Sequence, residues 1–130
     1  MIFDAYNASM SGTMATLDSF ARELAGRRIA VLGSMAELGG DAAAMHARVG
    51  AAAAQSGVDV LLVGGEFASE LAGGARTQGF AADRIVAFQR NAEAVAWLRD
   101  NLHAGDLVLL KASRKYKLEE IVEGLRAALA

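Results

Sequence analysis

Arg28-Ile29-Ala30-Val31-Leu32-Gly33 and, further along, Asp59-Val60-Leu61-Leu62-Val63-Gly64-Gly65 are the stretches that decide the fold. Each is a short apolar run closed by glycine. Neither alternates as a half-exposed strand does, so both predict strands buried on two faces. Between them Asp41 can cap a helix running to about Gln55, with Gly57 as its stop. Buried strand, helix, buried strand is the unit from which parallel sheets are built.

The same alternation extends in both directions. Upstream, Met14, Leu17, Phe20, Ala21 and Leu24 recur at helical spacing ahead of Gly26, which predicts a helix over residues 13–25. Downstream, the pattern predicts a helix over 66–72, a shorter strand over 84–88, and a helix capped by Asn91 that carries Val95, Leu98 and Leu102. A last buried strand over 107–110 precedes a helix bearing Leu118, Ile121, Val122, Leu125 and Leu129. Five such units, without a repeat or linker, predict an α/β sandwich around a mainly parallel sheet. The alanine runs at 42–44 and 51–54 suit close packing of a helix on a sheet.

The 130 residues fit a single domain, 1–130, large enough to bury a core without staples. A formal charge of -2 provides no electrostatic reason to expect nucleic acid or an anionic membrane. With no cysteine in the chain, disulfides, thiolate metal sites and cysteine nucleophiles are excluded, and a reducing compartment is compatible. No apolar stretch approaches the roughly 20 residues of a membrane helix, so the chain reads as soluble, with a cytoplasmic location expected. The absence of proline has no functional reading.

Ligands of open parallel sheets collect at the carboxyl ends of the strands, which singles out residues 33–40, 64–66 and 111–117, together with the start of the chain. Asp4-Ala5-Tyr6-Asn7-Ala8 holds a carboxylate, a phenol and a carboxamide that one turn could present to a sugar hydroxyl pair or an adenine edge. Alternatively, Asp4 and Asn7 form an Asx-type turn with Tyr6 packed beside it. Lys111-Ala112-Ser113-Arg114-Lys115-Tyr116-Lys117 places four cations and no acid where a strand gives way to a helix. Helix-start N–H groups, Ser113 and the Arg114 guanidinium could bind a carboxylate or phosphate there. The plainer alternative is a solvated face paired with Glu119 and Glu120.

The glycines of residues 33–40 do not fall in G-x-G-x-x-G order, so a dinucleotide loop is weakly supported. Glu37 could contact an amine or simply be solvated. His46 shares a helical face with Val49 and Gly50, as a packed histidine or a catalytic one, and His103 reads as surface near a helix end. No histidine or carboxylate pair has metal-ligand spacing, and no G-x-x-x-x-G-K-[ST] phosphate loop is present.

Together the segments resemble the C-terminal domain of the Mur ligase family, nearly from end to end. The family's opening Asp-x-Tyr-Asn-Ala-Asn-Pro is similar to residues 4–10, with Ser9 and Met10 in place of Asn and Pro. Its Gly-Asp-Met-x-Glu-Leu-Gly, followed by His and Val-Gly, is similar to residues 33–39, His46 and Val49-Gly50, with Ser34 in place of Asp. Its Val-Lys-Gly-Ser-Arg and following Glu-Glu are similar to residues 110–114 and Glu119-Glu120, with Ala112 in place of Gly.

That resemblance implies a three-layer, Rossmann-like α/β/α domain with a six-stranded, mostly parallel sheet and one antiparallel edge strand. It implies an ATP-dependent, amide-forming ligase of peptidoglycan precursor synthesis. ATP phosphorylates the terminal carboxylate of UDP-MurNAc-tripeptide, and the amine of D-Ala-D-Ala attacks the acyl phosphate. The phosphate loop and the magnesium ligands belong to a central domain, and the UDP site to an N-terminal one. By resemblance Asp4 faces the ATP ribose, Asn7 the adenine or the hinge, with Tyr6 in the same nucleotide-binding turn, while Lys111, Ser113 and Arg114 lie near the dipeptide. No catalytic residue is assigned to this domain alone. A related ligase of the folylpolyglutamate synthetase group, or a non-catalytic α/β binding module, remains as an alternative.

Overall fold

Strands and helices alternate along residues 2–5, 10–22, 26–34, 39–111 and 119–129, the parts of the chain that the computed structural model describes. They are β1 (Ile2–Ala5), α1 (Met10–Arg22), β2 (Arg27–Leu32), α2 (Ala42–Gln55), β3 (Val60–Gly64), α3 (Ala68–Thr77), β4 (Ile85–Phe88), α4 (Asn91–Asn101), β5 (Asp106–Lys111) and α5 (Glu119–Leu129). The strands form one sheet in the order β1-β5-β2-β3-β4, and every neighbouring pair is parallel. Among the described residues the sheet has five strands, all parallel; a sixth strand and an antiparallel edge are not seen among them. Each strand from β1 to β4 is followed by a helix that returns the chain to the start of the next strand, so no hairpin reverses direction.

The period-two alternation of buried strands sorts the core onto two faces. Ala30, Leu32, Leu61, Val63, Leu107 and Leu109 meet Leu17 and Phe20 of α1, Val49 of α2 and Leu71 of α3. On the other face Ile29, Val31, Leu62, Val108 and Leu110 meet Leu98 of α4 and Ile121, Val122 and Leu125 of α5. Each leucine or isoleucine closed off in this way contributes about 1.5–3 kcal/mol of burial. All six residues of β5 are buried, and between Asp106 and Lys111 the strand is an unbroken apolar run.

Four local expectations shift. The helix expected over 13–25 starts earlier, at Met10, and is described to Arg22, so Leu24 lies outside the described residues. The helix expected over 66–72 becomes α3, which continues through Gly73-Gly74 to Thr77. Gly74 does not end the helix because it is a contact point: it packs on the backbone of Ala47 in α2, as Gly50 of α2 packs on Leu71 of α3. Asn91 is the first residue of α4 and not its cap; Glu93 Oε1 accepts the N–H groups of Gln89 (2.8 Å) and Arg90 (2.9 Å). Asp41 precedes α2 without a side-chain capping bond.

At the amino end of the sheet, β2 and β5 are latched by an ion pair. Arg27 donates from Nη2 (2.7 Å) and Nε (3.3 Å) to the carboxylate of Asp106, which also accepts the His103 N–H at 2.8 Å. Burial pushes the Asp106 pKa up, but the hydrogen bonds from Arg27 and His103 and the Arg27 charge outweigh it and hold it below the ordinary carboxylate value. A depressed folded pKa means stabilisation that is complete above the unfolded pKa and lost as pH falls through the folded one. Asp106→Asn is expected to cost about 2 kcal/mol near neutrality. The deficit should narrow as the pH falls below about 4, which urea midpoints measured across that range will show.

Candidate functional site

At the carboxyl edge, the helices that follow the central strands β2 and β5 lie on opposite faces of the sheet. After β2 the chain turns to α2 on one face of the sheet, and after β5 it turns to α5 on the other. Because β2 and β5 are adjacent, their carboxyl ends mark a topological switch point, the kind of place at which open α/β sheets bind ligands. Gly33 and Ser34 leave β2 there, and Lys111 ends β5.

Lys111 pairs in register with Ala5 of β1 on one side and with Leu32 of β2 on the other. The Gly33 N–H donates to its carbonyl at 2.8 Å, extending the ladder one residue past the strand. The residue is only 5 % exposed, and burial pushes its ammonium pKa below the ordinary lysine value. A cation carried into a region of reduced dielectric interacts with an anion more strongly than a solvated one does.

On the other side of Gly33 lies a second set of contacts. The Ser34 hydroxyl is fully buried; it donates to the Gly64 carbonyl at 3.1 Å and accepts the Phe67 N–H at 2.8 Å. The Phe67 ring stacks on His46, with centroids 4.3 Å apart and planes 15° from parallel. His46 is itself buried, and its Nδ1 lies 2.6 Å from the Ala42 carbonyl, so Nδ1 carries the proton and donates. Of the two readings of His46, the packed and hydrogen-bonded one is what the structure contains.

The other sequence-derived candidates divide sharply. Asp4 lies on β1 opposite Leu110, one residue before the Ala5–Lys111 pair. Tyr6, Asn7, Glu37, Ser113 and Arg114 lie outside the described residues. His103 is exposed, as expected. Glu120, considered as a partner of the basic stretch, accepts from Asn91 Nδ2 at 3.0 Å. No group of three or more His, Cys, Asp or Glu that could hold a metal ion exists among the described residues. No described helix is long and apolar enough to cross a membrane.

A mostly apolar groove bounded by Val63, Ala72, Arg76, Ile85 and Ala87 runs between α3 and the β4 edge. It lies at the β3–β4 side of the sheet, away from Lys111 on β5. Sequence reasoning missed Ser34 and Phe67 as site-forming residues. The available signal was a hydroxyl at the exit of one buried strand facing the double-glycine exit of the next.

Comparison with known proteins agrees with this layout. The family described as Mur ligase, glutamate ligase domain, matches residues 1–114. The chain is 35 % identical over 126 residues to the UDP-N-acetylmuramoyl-tripeptide--D-alanyl-D-alanine ligase of Bacillus subtilis (strain 168), covering 96 % of this chain and 27 % of that protein. It is 37 % identical over 145 residues to the ligase of the same name from Mycobacterium tuberculosis (strain ATCC 25618 / H37Rv), covering 98 % of this chain and 28 % of that one. The chain thus spans little more than a quarter of the length of these relatives. Among solved structures, MurF ligase from Thermotoga maritima in complex with ADP superposes with a TM-score of 0.79 at 23 % identity, over 98 % of this chain and 29 % of that one. That likeness shows a shared fold.

Proposed function

The chain belongs to the Mur ligase family, and from that premise we propose that it works as the C-terminal domain of an ATP-dependent ligase that joins D-Ala-D-Ala to UDP-MurNAc-tripeptide. Its relatives' names specify that reaction. The observation that carries the assignment is the parallel register of β1 and β5: Ala5 stands opposite Lys111, so segments more than a hundred residues apart in sequence leave the sheet side by side. One is the proposed nucleotide-binding turn with Asp4, Tyr6 and Asn7, and the other is the proposed dipeptide-binding stretch with Lys111, Ser113 and Arg114.

The described residues suit the anionic end of a ligand better than a metal. Lys111 offers a buried cation at the end of β5, and no acidic cluster among the described residues could hold a metal ion. ATP supplies the activation of the carboxylate in this reaction, and its phosphates and Mg belong to the preceding domains in this proposal. The sequence has no G-x-x-x-x-G-K-[ST] loop. What this domain contributes is closure over the nucleotide and positioning of the incoming amine, effects that act by orientation.

The 130-residue chain alone is expected neither to hydrolyse ATP nor to form the amide bond, because phosphoryl transfer depends on positioning and charge neutralisation supplied elsewhere. In the intact polypeptide Asp4→Ala should raise KM for ATP more than KM for D-Ala-D-Ala, as steady-state kinetics with each substrate varied in turn will show. The reverse order would remove Asp4 from the nucleotide side of the site. ATP turnover by the purified chain that survived a catalytic-control variant would overturn the assignment as a whole.

A further inference from the structure

We infer that Ser34 is a positioning residue of the carboxyl edge: its hydroxyl pins the exit of β3 to the exit of β2, so that the ligand-facing ends of three neighbouring strands are held as one rigid unit. The inference deepens the proposed function, because it rests on reading this edge as the side that faces the substrates.

The geometry is a chain of short links. The Gly33 N–H donates to the Lys111 carbonyl, joining the ends of β2 and β5. One residue later Ser34 uses both capacities of its hydroxyl, the proton toward the Gly64 carbonyl and a lone pair toward the Phe67 N–H. Those two groups bracket the turn from β3 into α3, so a single side chain satisfies the last carbonyl of the strand and an N–H at the mouth of the helix. The turn is held from two further sides: the Phe88 ring packs against Gly64 where a Cβ would otherwise stand, and Phe67 stacks on the buried His46. Glu66, between these anchored positions, is exposed at the edge.

An acceptor and a donor are both required of residue 34, within hydrogen-bond length of two backbone groups on one side of the strand end. Serine and threonine supply both. Alanine supplies neither, removing a partner from the half-buried Phe67 N–H and from the buried Gly64 carbonyl, where an unsatisfied polar group is costly. An aspartate, which the family pattern has at this position, could accept from Phe67 but as a carboxylate could not donate to Gly64. In this chain the pin is thus specific to a hydroxyl.

Two measurements test the inference. In the 130-residue chain, amide exchange at Phe67 should accelerate about tenfold in Ser34→Ala relative to parent, while Ser34→Thr restores protection and exchange at Leu98, in α4 on the opposite face, changes little. In the intact ligase Ser34→Ala should raise KM for D-Ala-D-Ala or ATP several-fold with kcat held within about twofold, and Ser34→Thr should return KM to the parent value; a general loss of folded enzyme would lower the measured rate without moving KM. Unchanged exchange at Phe67 in Ser34→Ala overturns the pin itself. Faster exchange with parental KM values overturns the positioning role. If the parent polypeptide shows no ligase activity, the proposed function falls while the exchange result still decides whether Ser34 is the pin.

Discussion

Gly74→Ala is expected to destabilise the chain more than any other single methyl addition among the described glycines, with Gly50→Ala close behind. A Cβ on Gly74 would overlap the Ala47 carbonyl, standing 2.6 Å from its carbon, and one on Gly50 would overlap the Leu71 carbonyl, 2.8 Å from its carbon. Both obstacles are backbone of a facing helix, so no rotamer change relieves them, and α2 and α3 must separate. Overpacking of that kind costs about 3 kcal/mol or more, the upper end of its range, and for a chain of this size lowers the thermal midpoint by on the order of 10 °C. Gly73→Ala, one residue away on α3, meets nothing within 4 Å. It should stabilise by about 0.5–1 kcal/mol, since alanine loses less backbone freedom in a helix. Opposite signs at adjacent glycines in a thermal melt would establish the α2–α3 contact; equal effects would disprove it.

The largest functional effect is expected at Lys111. If its ammonium group holds the carboxylate end of the dipeptide, Lys111→Met in the intact ligase removes a charge-assisted interaction and should cost roughly tenfold to hundredfold in dipeptide use. Affinity for UDP-MurNAc-tripeptide should be nearly unchanged. Stability should respond differently. Because burial lowers the folded pKa of Lys111, the unfolded chain binds more protons in the window between that value and the ordinary lysine pKa. Stability therefore rises with pH through the window, and at neutral pH the charged lysine opposes folding. Lys111→Met keeps the apolar length without the charge, so the thermal midpoint of the domain at neutral pH should hold or rise while activity collapses. A fall in both together would mark Lys111 as part of the scaffold and not of the site. Arg126→Ala, on the exposed face of α5, is the control and should alter neither.

The central strands and the helices that cover them were legible because their signals are local. Ile29 to Leu32 and Leu61 to Val63 are apolar without alternation, and only a strand covered on both faces buries such runs. The candidate site was legible in part for the same reason: a lysine closing an apolar strand announces a cation at a strand end. The limits of α3 were not, since Gly73-Gly74 has the composition of a helix stop, and only the neighbouring helix reveals that the second glycine is there to admit backbone.

What the sequence by itself determined is thus the class of fold and the elements that build its core, both of them consequences of periodicity and of chemistry confined to a few consecutive residues. The tertiary structure alone decided the strand order, the parallel direction of every described pair, the adjacency of β2 and β5, the packed state of His46 and the two hydrogen bonds of Ser34 to Gly64 and Phe67. Each of these joins groups separated along the chain or depends on which face of the sheet a connection takes. Such partners are brought together only when burial of both faces at once selects one arrangement of the whole chain.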